Sequence, residues 1–109
     1  MNVVNALTAM VLICVAVVSA RAEGLGQPQR GQSLAERYCA ECHAIQRGDA
    51  RSPNLDAPAF AKIASTPGVT AIALTAALQT SHRTMPNIIL QPEEMQHLIA
   101  YILSLRDVN

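Results

Sequence analysis

Five consecutive residues constrain this chain more than any others: Cys39-Ala40-Glu41-Cys42-His43. Their spacing, C-x-x-C-H, is the sequence mark of covalent haem attachment. Each thiol can add to one vinyl group of a porphyrin, giving two thioether tethers. The imidazole directly after the second tether is thereby carried over the iron, where His43 can ligate it from the proximal side. The single motif implies one haem c per chain.

Two other uses of C-x-x-C fit poorly. A dithiol redox pair expects a βαβ setting, and no strand run stands out after the N-terminal segment. A structural zinc site needs four ligands in paired spacing. The only other cysteine is Cys14, and His82 and His97 stand alone.

The chain has 109 residues, room for one small domain. So short a chain buries proportionally little surface and needs a staple. A covalently held porphyrin offers one: a large, flat, apolar body for short helices to pack against. Aromatic side chains are few, Tyr38, Phe60 and Tyr101, and tryptophan is absent.

Residues 1–22 read as a signal peptide. The stretch from Val3 to Val18 is nearly all apolar, and Ser19-Ala20-Arg21-Ala22 fits an A-x-A cleavage site before Glu23. No Lys or Arg precedes the apolar run, which approaches spanning length, so an uncleaved membrane anchor is the alternative. Cleavage would remove Cys14 and leave both remaining cysteines in the motif. Residues 23–109 carry seven basic and eight acidic side chains, which argues against a nucleic-acid partner. Haem attachment of this kind belongs outside the cytoplasm, so the expected location is the periplasm.

Residues 23–30, rich in Gly, Gln and Pro, read as a flexible linker, and residues 31–109 as the folded domain. Gly31 to Cys42 reads as the first helix. Leu34, Tyr38 and Cys42 share one face, and Gly31, Ala35 and Cys39 form a row of small side chains beside it. Asp56 can cap a second helix from Ala57 to about Ala64. Thr66-Pro67 reads as the start of a third, reaching about Thr80, with an apolar stripe of Val69, Ile72, Ala73, Ala76 and Ala77. The last helix runs from Pro92 to about Arg106, with Met95, Leu98, Ile99, Ile102 and Leu105 on its apolar face. His97 falls on its polar side.

The loop between the last two helices holds the second iron ligand. Met85 can cross the distal face, and Pro86 after it stiffens the loop. A thioether is soft and neutral and favours ferrous iron. Met95 belongs to the core stripe, and His82 is the rival nitrogen ligand.

These residues together resemble the small bacterial class I c-type cytochromes. Cys39, Cys42 and His43 match the attachment motif, and Met85-Pro86 looks like the family's distal methionine with its following proline. Gly31 resembles the first-helix glycine, and Leu98 and Tyr101 the last-helix pair that packs across it. Ser52-Pro53-Asn54-Leu55 resembles the segment whose proline carbonyl accepts the proximal imidazole N–H, a role the resemblance gives to Pro53.

The resemblance implies an all-α, cytochrome c-like fold of three to four short helices packed around one covalently bound haem. It also implies an electron carrier rather than an enzyme, with protein redox partners and a His43/Met85-ligated iron. The competing class is a haem enzyme or gas-binding sensor with a labile distal face. Where relatives use tryptophan on a haem propionate, this chain leaves Arg51, Arg83 and Asn87. The lysine-rich docking face of mitochondrial relatives is missing, since Lys62 is the only lysine. An apolar rim at Ile88, Ile89 and Leu90 is the expected docking feature instead.

Overall fold

Gly31 has no side chain because another helix occupies that space. A Cβ built there would stand 2.0 Å from the carbonyl oxygen of His97 and 2.6 Å from the Cβ of Tyr101. In the computed structural model, which describes residues 26–49, 51–80, 82 and 84–107, this is where the first and last helices cross. The expectations for the leader, for Cys14 and for Arg83 lie outside the described residues.

Four helices, and no strand, make up the secondary structure among the described residues: α1 (Pro28–Tyr38), α2 (Phe60–Ser65), α3 (Ala71–Gln79) and α4 (Pro92–Ser104). The all-α expectation holds. The α1–α4 crossing carries the most extensive contact, and α2 and α3 each pack on α4.

Helix α1 starts inside the stretch expected to be linker. Pro28 supplies the preset φ of a first helical position, and Gln27 is the extended residue before it. The helix stops at Tyr38, and Cys39 to His43 continue as a turn, with the His43 amide donating to the Cys39 carbonyl at 2.9 Å. Of the two rows read from the sequence, the small one is buried: Gly31, Ala35 and Cys39. Tyr38, on the other row, is 41 % exposed.

Helix α2 begins at Phe60, three residues later than expected, and Asp56 does not cap it. The Asp56 amide instead donates to the Asn54 side chain at 3.0 Å, a local turn that takes the place of a cap. Helix α3 begins at Ala71, not Pro67. Thr66 to Val69 closes a turn with Gly68 at φ +83°, so Thr66-Pro67 is a bend and Thr70 is the cap, its hydroxyl accepting the Ala73 amide at 3.2 Å. The face α3 buries also differs. Leu74 is its buried residue, while Ile72 is 83 % exposed and Ala73 and Ala76 face outward.

Helix α4 supplies the centre of the core. Its start is set by Pro92 and by the Glu94 carboxylate, which accepts the Gln91 amide at 2.9 Å. Leu98, Ile99, Tyr101, Ile102 and Leu105 are buried against Ala35, Cys39, Ile45, Phe60, Ala64 and Leu74. His97, expected on the solvated side, is buried at 8 % exposure. Its Nδ1 accepts the backbone amide of Gln27, which turns the ring inward under the start of α1. Among the described residues no helix is long and apolar enough to cross a membrane.

Candidate haem site

The attachment turn follows directly on the end of α1, and its first residue is buried. Cys39 is 7 % exposed, and Cys42, three residues on, is half-buried. Burial pushes the Cys39 thiol up to about 11, because a thiolate there would lose its water. A thioether carries no charge and escapes that penalty. The apolar setting therefore suits the attached sulfur better than a free, reactive one.

Cys39 opens into a cleft lined by Tyr38, Leu78, Thr80, Met85, Pro86, Asn87, Ile88, Leu90 and Leu98. Two elements far apart in sequence thus meet across one cavity: the end of α1 and the loop after α3. The Met85 loop is shaped locally. The Met85 amide donates to the His82 carbonyl at 3.0 Å, closing a tight reversal, and Pro86 follows.

His43 is not among the residues lining the cleft; its ring lies 5.4 Å from that of Phe60 and is tilted 49° to it. Its Nδ1 lies 2.7 Å from the carbonyl oxygen of Pro58. A carbonyl only accepts, so Nδ1 carries the proton and Nε2 keeps the lone pair a metal needs. Such a bond fixes the ring's tautomer and orientation.

The expected partner of His43 was Pro53, and the structure corrects this to Pro58. The Ser52-Pro53-Asn54 stretch runs along the backbone of the motif instead. Ser52 Oγ accepts the Ala44 amide at 2.9 Å, and the Asn54 amide donates to the Cys42 carbonyl at 3.1 Å. Pro53 itself is exposed. The Phe60 amide donates to the Ala44 carbonyl at 2.9 Å, which draws the Pro58 carbonyl over the imidazole.

The donor set and the cavity fit a covalently held haem: two sulfurs on one turn, one of them lining an apolar cleft, an imidazole whose Nδ1 proton is held so that Nε2 keeps its lone pair, and a thioether lining the same cleft. Cys39, Cys42, His43 and Met85 would hold the group. Pro58 and Phe60, which position the motif, were not legible, and Ser52 was legible only as part of the segment read around Pro53. The one available signal was a proline two residues before a phenylalanine. Asn87 lines the cleft, while Arg51 is exposed on the connection between α1 and α2. Ile89 is 83 % exposed, whereas Ile88 and Leu90 are half-buried and line the cleft.

A helical domain that hangs an attachment turn from its first helix and faces it with a methionine loop is a small c-type cytochrome. The chain belongs to the family described as cytochrome C oxidase, cbb3-type, subunit III, whose model matches residues 26–102. It is 34 % identical over 97 residues to cytochrome c-552 of Bradyrhizobium diazoefficiens, a match spanning 88 % of this chain and 92 % of that protein. No solved structure matches it. The cofactor of this family is covalently bound haem c, and its chemistry is haem-based electron transfer.

Proposed function

We propose that the protein is a periplasmic one-electron carrier whose haem is tethered by Cys39 and Cys42 and whose iron is held by His43 and Met85. The observation that carries this reading is the shared cleft: Cys39 and Met85 line one apolar cavity. The haem iron, when bound, supplies a one-electron couple.

The chain's own residues supply the rest. Pro58 holds the Nδ1 proton of His43, keeping Nε2 directed as a ligand and raising its basicity. Met85 presents a neutral thioether from a loop stiffened by Pro86, which favours ferrous iron and a raised potential. Leu78, Ile88, Leu90 and Leu98 surround the Met85 side of the cleft with apolar surface, which disfavours solvent as a competitor for that position. Exposed Ile89 offers an apolar contact for a protein redox partner. The family's description names an oxidase subunit, so a terminal oxidase is the partner class we favour. Export rests on residues 1–22, and membrane attachment follows only where that segment is retained.

The test is the visible spectrum of the oxidised protein. Sulfur bound to ferric iron gives a weak long-wavelength band, expected in the wild type and lost in Met85→Leu, which keeps side-chain volume and removes the sulfur. Rapid binding of carbon monoxide by the wild type would instead mark an open distal face, the behaviour of a gas sensor or haem enzyme.

A further inference from the structure

The three histidines of this chain divide into two kinds. The Nδ1 of His43 is engaged by the Pro58 carbonyl at 2.7 Å, and the Nδ1 of His82 by the Thr80 carbonyl at 2.8 Å. Both rings therefore carry the proton on Nδ1 and a free lone pair on Nε2. His97 is the reverse: its Nδ1 accepts an amide proton, so its own proton sits on Nε2, and the ring is buried. His82 is thus the second imidazole of the chain set up to bind a metal.

Its position points the same way. His82 and Met85 are opposed partners in an isolated antiparallel pair. Side chains opposed in this manner leave the backbone on the same side, with Cβ atoms roughly 4.5–5.5 Å apart. Met85 lines the cleft, as does Thr80, whose carbonyl holds the His82 ring. His82 is exposed, so no core contact has to break for the ring to turn inward.

Resting on the His43/Met85 reading above, we propose that His82 is a standby ligand, whose Nε2 takes the distal iron position when the Met85 thioether leaves it. The exchange breaks one iron–sulfur bond and forms one iron–nitrogen bond. No electron moves, and in the neutral ring Nε2 supplies the lone pair for the new bond. The protein then keeps a closed, six-coordinate haem at a lower potential, because imidazole stabilises ferric iron better than a thioether does. The His82–Met85 pair is a device that sets the potential without opening the site to small molecules.

The experiment uses the holoprotein and three forms: wild type, Met85→Leu, and Met85→Leu with His82→Ala. The ferric wild-type spectrum is read first. Absence of the sulfur band there overturns the methionine reading itself, before either variant is considered. With the band present, Met85→Leu is expected to lose it yet remain low-spin by electron paramagnetic resonance. The double variant is expected to turn high-spin and to bind carbon monoxide on the order of tenfold faster, or more. A high-spin Met85→Leu protein whose carbon monoxide binding is unchanged by His82→Ala overturns the proposal. Far-ultraviolet circular dichroism separates a lost ligand from a lost fold.

Discussion

The Nδ1 of His97 accepts the backbone amide of Gln27 at 2.8 Å, joining residues seventy apart in sequence. The imidazole of α4 thereby fastens the residue that caps α1, and α1 carries the attachment turn at its other end. The same His97 lends its carbonyl to the contact that excludes any side chain at Gly31. One residue therefore sets both the start and the approach of the helix that delivers Cys39.

That bond can be weighed by a double-mutant cycle. His97→Leu removes the acceptor and leaves the part-buried Gln27 amide without its partner, at a cost of about 1 kcal/mol. Gln27→Pro deletes the donor at a position whose φ of −95° lies near the range of proline. In that background His97→Leu is expected to cost less than half as much, since no amide is left stranded. Chemical denaturation of the four holoproteins measures it, and equal costs in both backgrounds would show that the bond contributes nothing.

Gly31→Ala tests the crossing directly. Its Cβ would meet the His97 carbonyl at 2.0 Å and the Tyr101 Cβ at 2.6 Å, atoms that no rotamer change can move aside. The helices must separate, and the expected loss is about 3 kcal/mol. Gly26→Ala meets the Gln96 carbonyl at a similar 2.1 Å, but Gly26 precedes α1. It can lift away without parting the helices, so thermal unfolding should rank it the milder change.

What the sequence disclosed and what it hid follow from the range of the interactions. The Gly31 row and the α4 stripe are local patterns and appear where periodicity puts them, whereas the C-x-x-C-H motif, expected at the end of the first helix, forms a turn beyond Tyr38. The His43 tautomer partner was hidden because any backbone carbonyl can accept, and residue identity does not say which one arrives. Only the Ala44–Phe60 pairing decides for Pro58 over Pro53. His97 was misplaced because periodicity scores histidine as polar and cannot see an amide waiting seventy residues away. Helix α3, all Ala, Ile, Leu, Thr and Gln, offers no charge to mark its outer face, so its stripe was ambiguous.

Arg106 ties the end of α4 to the bend between α2 and α3. Its Nε donates to the Ala64 carbonyl at 3.0 Å and an Nη to the Val69 carbonyl at 2.7 Å. Two carbonyls served by one planar fork are not served equally by an ammonium. Arg106→Ala is expected to cost about 1–3 kcal/mol, and Arg106→Lys to recover less than half of it. Thermal melts of the holoproteins report both, and full recovery by lysine would mean that charge alone matters there.

Tyr101 makes stability depend on alkaline pH. Its hydroxyl donates to the Ile45 carbonyl at 2.7 Å within the core. Burial holds its ionisation above the ordinary tyrosine value of 10.0, with the charges of Glu36 and Asp49 adding to that and Arg47 opposing it. The folded protein therefore prefers the neutral phenol more than the unfolded chain does. The stabilisation is complete below the unfolded value and drains away as pH rises through it toward the folded one. Tyr101→Phe should be less stable by about 1 kcal/mol at neutral pH, from the lost hydrogen bond. Above about pH 10 the variant escapes the ionisation that weakens the wild type, so the two stability curves should converge. Denaturant midpoints from neutral to strongly alkaline pH measure this, and a constant gap across the range would show that the Tyr101 hydroxyl does not titrate with folding.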